Sequence, residues 1–182
     1  MLQELVPKVS IVNLVATAEL NQFVDLLRLA DVGGFLYDQA IYHCAYLTDH
    51  QTKAKVSIFS TGKMICVGAK CFDDAKHDLA YAVRRLVQLG LIKQTRITPK
   101  LQNIVATAEL GSSVDIETLT KKLPNVIYEP EQFPGAIYYT KELEGASILI
   151  FASGKVVFAG LRSHEMLEAG KRVLSELDEL IR

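Results

Sequence analysis

Apolar and polar residues alternate in two rhythms along the chain. In the segment NLVATAEL, residues 13–20, the period is two. That places Asn13, Val15 and Thr17 on one face of a strand and Leu14 and Ala16 on the other. The segment NIVATAEL, residues 103–110, repeats it. Three further strands are predicted in each half, near residues 40–47, 54–60 and 63–69 and near 135–141, 146–152 and 155–161. The tight turns Ser60-Thr-Gly62-Lys63 and Ala152-Ser-Gly154-Lys155 join the last two of each set as hairpins, glycine supplying the positive φ. Helical spacing marks a stripe of Ala75, Leu79, Ala82, Val83 and Leu86 between Asp73 and Leu89. A second stripe, Met166, Leu167, Ala169, Val173, Leu174 and Leu177, lies between His164 and Ile181. Shorter helices are predicted after the first strand of each half, in FVDLLRLADV and in VDIETLTKKL, the latter with Ser112 or Ser113 as N-cap. Asp31-Val-Gly-Gly34 and Pro124-Asn125 stop them.

The order of elements is the same in both halves, and so are several motifs. IFSTGKMICVGAK at 58–70 answers IFASGKVVFAGLR at 150–162, and AIY at 40–42 answers AIY at 136–138. The chain is thus a duplicated unit, residues 1–92 and 93–182, too long and too few in number for a solenoid. The spacing between copies is 90 residues at the first motif, 96 at AIY and 92 at the last. On this alignment the first copy has lost residues before AIY and gained some after it. The expected class is α+β, two pseudo-twofold repeats forming one antiparallel sheet with helices on a single face.

Such a sheet leaves its other face uncovered. Alternation assigns to it Asn13, Val15, Thr17, Ser57, Phe59, Ile65 and Val67 from the first copy. The second contributes Asn103, Val105, Thr107, Leu149, Phe151, Val157 and Ala159. The opposite parity (Val56, Ile58, Ile148, Ile150) already supplies a core, so this second, mostly apolar strip calls for a partner.

Composition narrows the choice. With a net charge of −1 the chain has no global basic excess, so any nucleic-acid contact must rest on local charge. Three cysteines without a CxxC pair fit a reducing compartment. The set His43, Cys44, His50, Cys66 and Cys71 lacks a zinc spacing pattern. The opening residues MLQELVPKVS lack the features of a secretory leader, and no apolar run reaches membrane-span length. Nucleophile-elbow, Walker and HExxH motifs are missing, so neither an enzyme nor a cofactor is expected.

Three motifs in order, QNIVAT at 102–107, YEPEQFPG at 128–135 and the IFxSGK segment with its later Gly160, resemble the TATA-box-binding protein (TBP) family of archaeal type. The resemblance covers essentially the whole chain. It implies a saddle with helices on the convex face, and a general initiation factor that bends AT-rich promoter DNA through its minor groove. That family is itself a standard illustration of minor-groove bending. Asn13 and Asn103 match its central asparagines, and Val15, Val105, Ile65 and Val157 its apolar floor. Phe133 and Phe151 match one pair of intercalating phenylalanines, and Phe59 one member of the other pair. The missing partner aligns with Tyr37, with Phe35 nearby as a substitute, and a weakened first pair implies lopsided binding. Lys63, Lys155, Lys70 and Arg162 match phosphate-contacting positions, whereas His43 and Tyr139 stand where the family usually has arginine. Val67 and Ala159 replace its base-contacting threonines. Glu129 and Glu131 fall in the loop, or stirrup, that docks a TFIIB-like factor and through it RNA polymerase, and YEPEQFPG has no evident counterpart in the first copy. The resemblance further implies a cytoplasmic, nucleoid-associated protein (nuclear in a eukaryote), with a dimer among the states free of DNA. The departures motivate an alternative: a diverged paralogue serving mainly as a protein-interaction module with weak or altered DNA binding.

Overall fold

The computed structural model describes residues 7–181, so the leader expectation for residues 1–6 lies outside the described residues. Two compact units are present, one of residues 13–102 and one of residues 103–181 with the short stretch preceding residue 13.

In the first unit, β1 (Ser10–Glu19), β2 (Phe35–Leu36), β3 (Ala45–Leu47), β4 (Lys55–Ile58) and β5 (Lys63–Ala69) are followed by helix α1 (Phe72–Gln88). The strands lie in the order β2-β3-β4-β5-β1, every neighbour antiparallel. The second unit holds β6 (Lys100–Glu109), α2 (Ile116–Lys122), β7 (Val126–Ile127), β8 (Gly135–Tyr138), β9 (Ser147–Phe151), β10 (Lys155–Leu161) and α3 (His164–Ile181). Its strand order, β7-β8-β9-β10-β6, repeats that of the first, again antiparallel throughout. The α+β class and the duplication therefore hold.

The core follows the expected parity. Leu14, Ala16, Val56, Ile58, Met64 and Cys66 are fully buried together with Ala75, Leu79, Ala82 and Leu86 of α1. In the second unit Ile104, Ala106, Ile148, Ile150, Val156 and Phe158 meet the buried stripe of α3. Each large side chain so buried contributes about 1.5–3 kcal/mol. At one place the copies reach the same packing by opposite means. Cys66 lies near enough to the buried Asp78 of α1 to feel its charge, whereas the equivalent Phe158 lies against Gly170 of α3, on which a Cβ would lie 3.2 Å from the phenyl ring.

The short helices differ from expectation. In the first unit the segment makes only a 3-10 turn, Leu26–Leu29, with Asp25 accepting from Leu27 N. In the second, α2 is capped by Asp115, whose carboxylate accepts from both the backbone N–H and the hydroxyl of Thr118, and not by Ser112 or Ser113. The reason lies in the hairpin alongside: Leu110 N donates to Gly154 O and Val114 N to Ala152 O, holding the chain extended until Asp115. Gly154 makes that approach possible, since its φ is +88° and a Cβ would sit 2.4 Å from Ser112 O. Gly62 does the same in the first unit.

The register between the copies also corrects the sequence alignment. β3 pairs with β4 as Ala45↔Ile58 and Tyr46↔Ser57, and β8 with β9 as Ala136↔Ile150 and Ile137↔Leu149. Residues 37–44, YDQAIYHC, therefore correspond to residues 128–135, YEPEQFPG, at the same length. The hydrogen bonds agree: Ile41 N and Tyr42 N donate to Asp38 O, as Gln132 N and Phe133 N donate to Glu129 O. The two AIY segments are not equivalent, and the first copy does have a counterpart of the second loop. The strand expected near 40–47 shrinks to Ala45–Leu47 because its first half is this loop.

Candidate nucleic-acid interface

Each unit keeps one sheet face partly open. In the first, Asn13, Val15 and Thr17 of β1, Ser57 and Phe59 at β4, and Ile65 of β5 are all half-buried, and Val67 is 40% exposed. The pairs Val15↔Val67, Thr17↔Ile65 and Ser57↔Ile65 bring them side by side. In the second, Asn103, Val105, Thr107, Leu149, Phe151, Val157 and Ala159 are half-buried, with Val157 between Thr107 and Leu149. The residues chosen by alternation thus share a face within each unit. A bulge at Gly68 in β5 and another at Gly160 in β10 bend the strands that carry it.

This face offers few polar groups. Gln102 Nε2 donates to Thr17 Oγ1 at 2.8 Å, leaving the threonine proton available to an outside acceptor. The Asn13 Oδ1 atom is buried without a hydrogen-bond partner among the described residues. A surface of valines, isoleucines and aromatic rings with a few amides and hydroxyls can press against another apolar surface and add a small number of directed hydrogen bonds.

Aromatic rings stand at the margins of the open faces. Phe133 and Phe151 pack edge to face, centroids 5.7 Å apart. In the first unit the register assigns the position of Phe133 to Tyr42, not to Tyr37, which instead matches Tyr128 just after the edge strand. Phe35 is no substitute either, because it is buried beneath the Arg85 guanidinium of α1. Tyr42 does not pair with Phe59; it packs edge-on against Tyr46, 5.4 Å between centroids, and Lys55 Nζ lies 3.9 Å above the other ring of that pair. The Tyr46 phenol is raised above its ordinary pKa, first by a hydrogen bond with Cys44 and then by electrostatic repulsion from the same side chain. Tyr42, Tyr46 and Lys55 were not singled out by sequence. The faulty AIY alignment hid the first. Strict alternation from Ser57 back to Lys55 would have found the last.

Exposed cations flank the open faces. Lys63 and Lys155 start β5 and β10, opposite Glu19 and Glu109, and Lys70 and Arg162 follow the ends of the same strands. His43 corresponds to Pro134 in the loop, and the counterpart of Tyr139 is Thr48: Thr48 N donates to Gly34 O as Tyr139 N does to Asn125 O. Glu129 and Glu131 are exposed in their loop; their counterparts are Asp38 and Ala40. Burial pushes the Cys66 thiol up to about 12, which leaves it inert. Among the described residues there is no grouping of three or more His, Cys, Asp or Glu that could hold a metal ion, and no helix long and apolar enough to cross a membrane.

Comparison with known proteins agrees with this geometry. The family described as "Transcription factor TFIID (or TATA-binding protein, TBP)" matches twice, over residues 8–89 and 98–180. A TATA-box-binding protein of Cenarchaeum symbiosum is 37% identical over 159 residues, covering 86% of each chain. One from Archaeoglobus fulgidus is 32% identical over 177 residues, 95% of this chain and 96% of its own. The solved structure of Methanococcus jannaschii TBP is similar with a TM-score of 0.79 at 31% identity, covering 96% of this chain and 98% of that one. Matched across both repeats in sequence and across nearly its whole length in fold, the chain belongs to the TATA-binding protein family.

Proposed function

We propose that the protein is a general transcription initiation factor that binds and bends AT-rich promoter DNA, the TATA box, through the minor groove. The single observation that carries this reading is the mostly apolar open face, repeated in both units and flanked by exposed cations. A minor groove presents few donors and acceptors, and guanine's exocyclic amine would obstruct a close-packed strand, so such a face favours A·T pairs. Each repeat supplies its own open face to the groove, Asn13 and Thr17 from the first and Asn103 and Thr107 from the second reaching base edges. Phe133 and Phe151 at one end, and Phe59 with Tyr42 at the other, pry into base steps. Unstacking costs a few kcal/mol per step, offset by the surface that bent DNA wraps. Lys63, Lys70, Lys155 and Arg162 contact phosphates.

On the same reading Glu129 and Glu131 offer an acidic loop to a basic surface of a TFIIB-like factor, which in turn brings RNA polymerase. The protein then works where promoter DNA lies, in the nucleoid, and performs no catalytic step. The alternative, an interaction module that has left DNA, is not favoured. Two of its motives, a wedge moved to Tyr37 and a missing first loop, disappear with the corrected register.

Fluorescence anisotropy with a TATA duplex and a G·C-substituted control, across a salt series, tests the proposal. Four phosphate contacts predict a log–log salt slope of roughly −3.6, and Lys70→Ala a slope shallower by about 0.9. Binding that ignores sequence, or that shows no salt dependence, would sink it.

A further inference from the structure

The two aromatic pairs differ because of one side chain between them. At the end of the second loop stands Gly135, directly across from Phe151 in the β8–β9 ladder. A Cβ there would lie 3.0 Å from Phe133 Cε1 and 3.1 Å from Phe151 Cε1, so a side chain at position 135 would press on both rings of the close pair. The equivalent position in the first unit is Cys44, one residue before the pair Ala45↔Ile58, and it is 6% exposed. The loop hydrogen bonds match: Tyr42 N donates to Asp38 O at 2.8 Å, as Phe133 N does to Glu129 O at 2.9 Å. Yet Tyr42 leans on Tyr46, and Phe59 has no ring partner among the described residues. Cys44 carries the β-carbon that at position 135 would crowd both rings.

We infer that Cys44 is a positioning residue that holds Tyr42 and Phe59 apart, so that the first repeat wedges DNA less deeply than the second and the bend is unequal at its two ends. This deepens the DNA-bending reading and rests on it. A joined edge-to-face pair presents one rigid, preorganised wedge. Two separated rings, one of them packed on Tyr46, must rearrange before either can enter a base step.

The experiment compares end-to-end FRET on a doubly labelled TATA duplex at saturating protein, together with affinity, for wild type, C44G, C44A and G135A. Removing the β-carbon in C44G lets the rings close and should increase the bend and tighten binding about two- to tenfold, the range one aromatic pair is worth. C44A keeps the β-carbon and should hold the wild-type bend, which separates positioning from a general effect of losing the thiol. G135A, the reciprocal change in the second unit, should reduce the bend, and it carries the test if C44G does not fold. Wild-type bending with C44G, or failing that G135A, indistinguishable from it overturns this inference alone. A wild-type protein that binds without bending overturns the DNA-bending reading and this inference with it.

Discussion

Phe151→Ala separates the role of the open face from that of the core. The ring is half-buried and touches Phe133 edge to face at 5.7 Å. In the free protein its removal forfeits that contact, about 0.5–1.5 kcal/mol, and about half of the 1.5–3 kcal/mol that full burial of a phenyl group supplies. The stability loss should therefore be about 1–3 kcal/mol, small enough for the fold to survive. Against DNA the remaining half of the ring becomes covered, so the variant also loses about 1–1.5 kcal/mol of burial in the complex, together with the orientation of Phe133. The total of about 1.5–3 kcal/mol corresponds to roughly 10–100-fold weaker binding. The assay is anisotropy for affinity and end-to-end FRET for bending, with far-UV circular dichroism and a urea curve to establish that the variant is folded. Bend and affinity should fall together. A folded variant that binds within twofold of wild type and bends DNA equally would refute the wedge role.

Other consequences concern the scaffold that carries the face. Asp78→Ala removes a fully buried carboxylate that accepts from Lys53 N at 3.0 Å and Ala54 N at 2.8 Å, orphaning both donors. The cost should be about 3–5 kcal/mol in urea denaturation, and a loss below about 1 kcal/mol would contradict the assigned bonds. Gly154→Ala places a Cβ 2.4 Å from Ser112 O at a φ of +88°. It should destabilise by about 1–3 kcal/mol, and an unchanged urea midpoint would argue against the turn. Asp74 is held below the ordinary aspartate value by its hydrogen bond from Lys53 Nζ, and Asp49 by the one from Tyr81 Oη. A carboxyl depressed in the folded state stabilises fully above the unfolded value of about 3.9 and loses that contribution as pH falls through the folded value. The urea midpoint of wild type should accordingly fall below about pH 4, and less steeply for Asp74→Asn; identical acid slopes would remove Asp74 from the explanation.

Much of this was legible in the sequence because strand parity is a strong constraint. A side chain on Val15 or Phe59 cannot turn to the core without moving Leu14, Ala16, Ile58 and their neighbours to solvent, so the open face could be named residue by residue. The two long helices were equally legible, since each shows one continuous apolar stripe. What failed was local and non-periodic. The loop 37–44 was misplaced because a three-residue coincidence, AIY, outweighed register information that exists only once strands pair. The N-cap of α2 falls at Asp115 and not at Ser112 or Ser113, because backbone bonds from Leu110 and Val114 to the neighbouring hairpin delay the helix until there. The two-residue strands β2 and β7 are too short to show any period.

One measurement bears on the central claim above all others. A duplex carrying a TATA element and a dye at each end is titrated with the protein beside a G·C-substituted duplex, and transfer efficiency is followed at low and moderate salt. Efficiency should rise on the TATA duplex alone and fall back as salt is raised, because the ends approach only when the open face is seated in an AT-rich groove. Unchanged efficiency on the TATA duplex at saturating protein, or an equal rise on both duplexes, would contradict it.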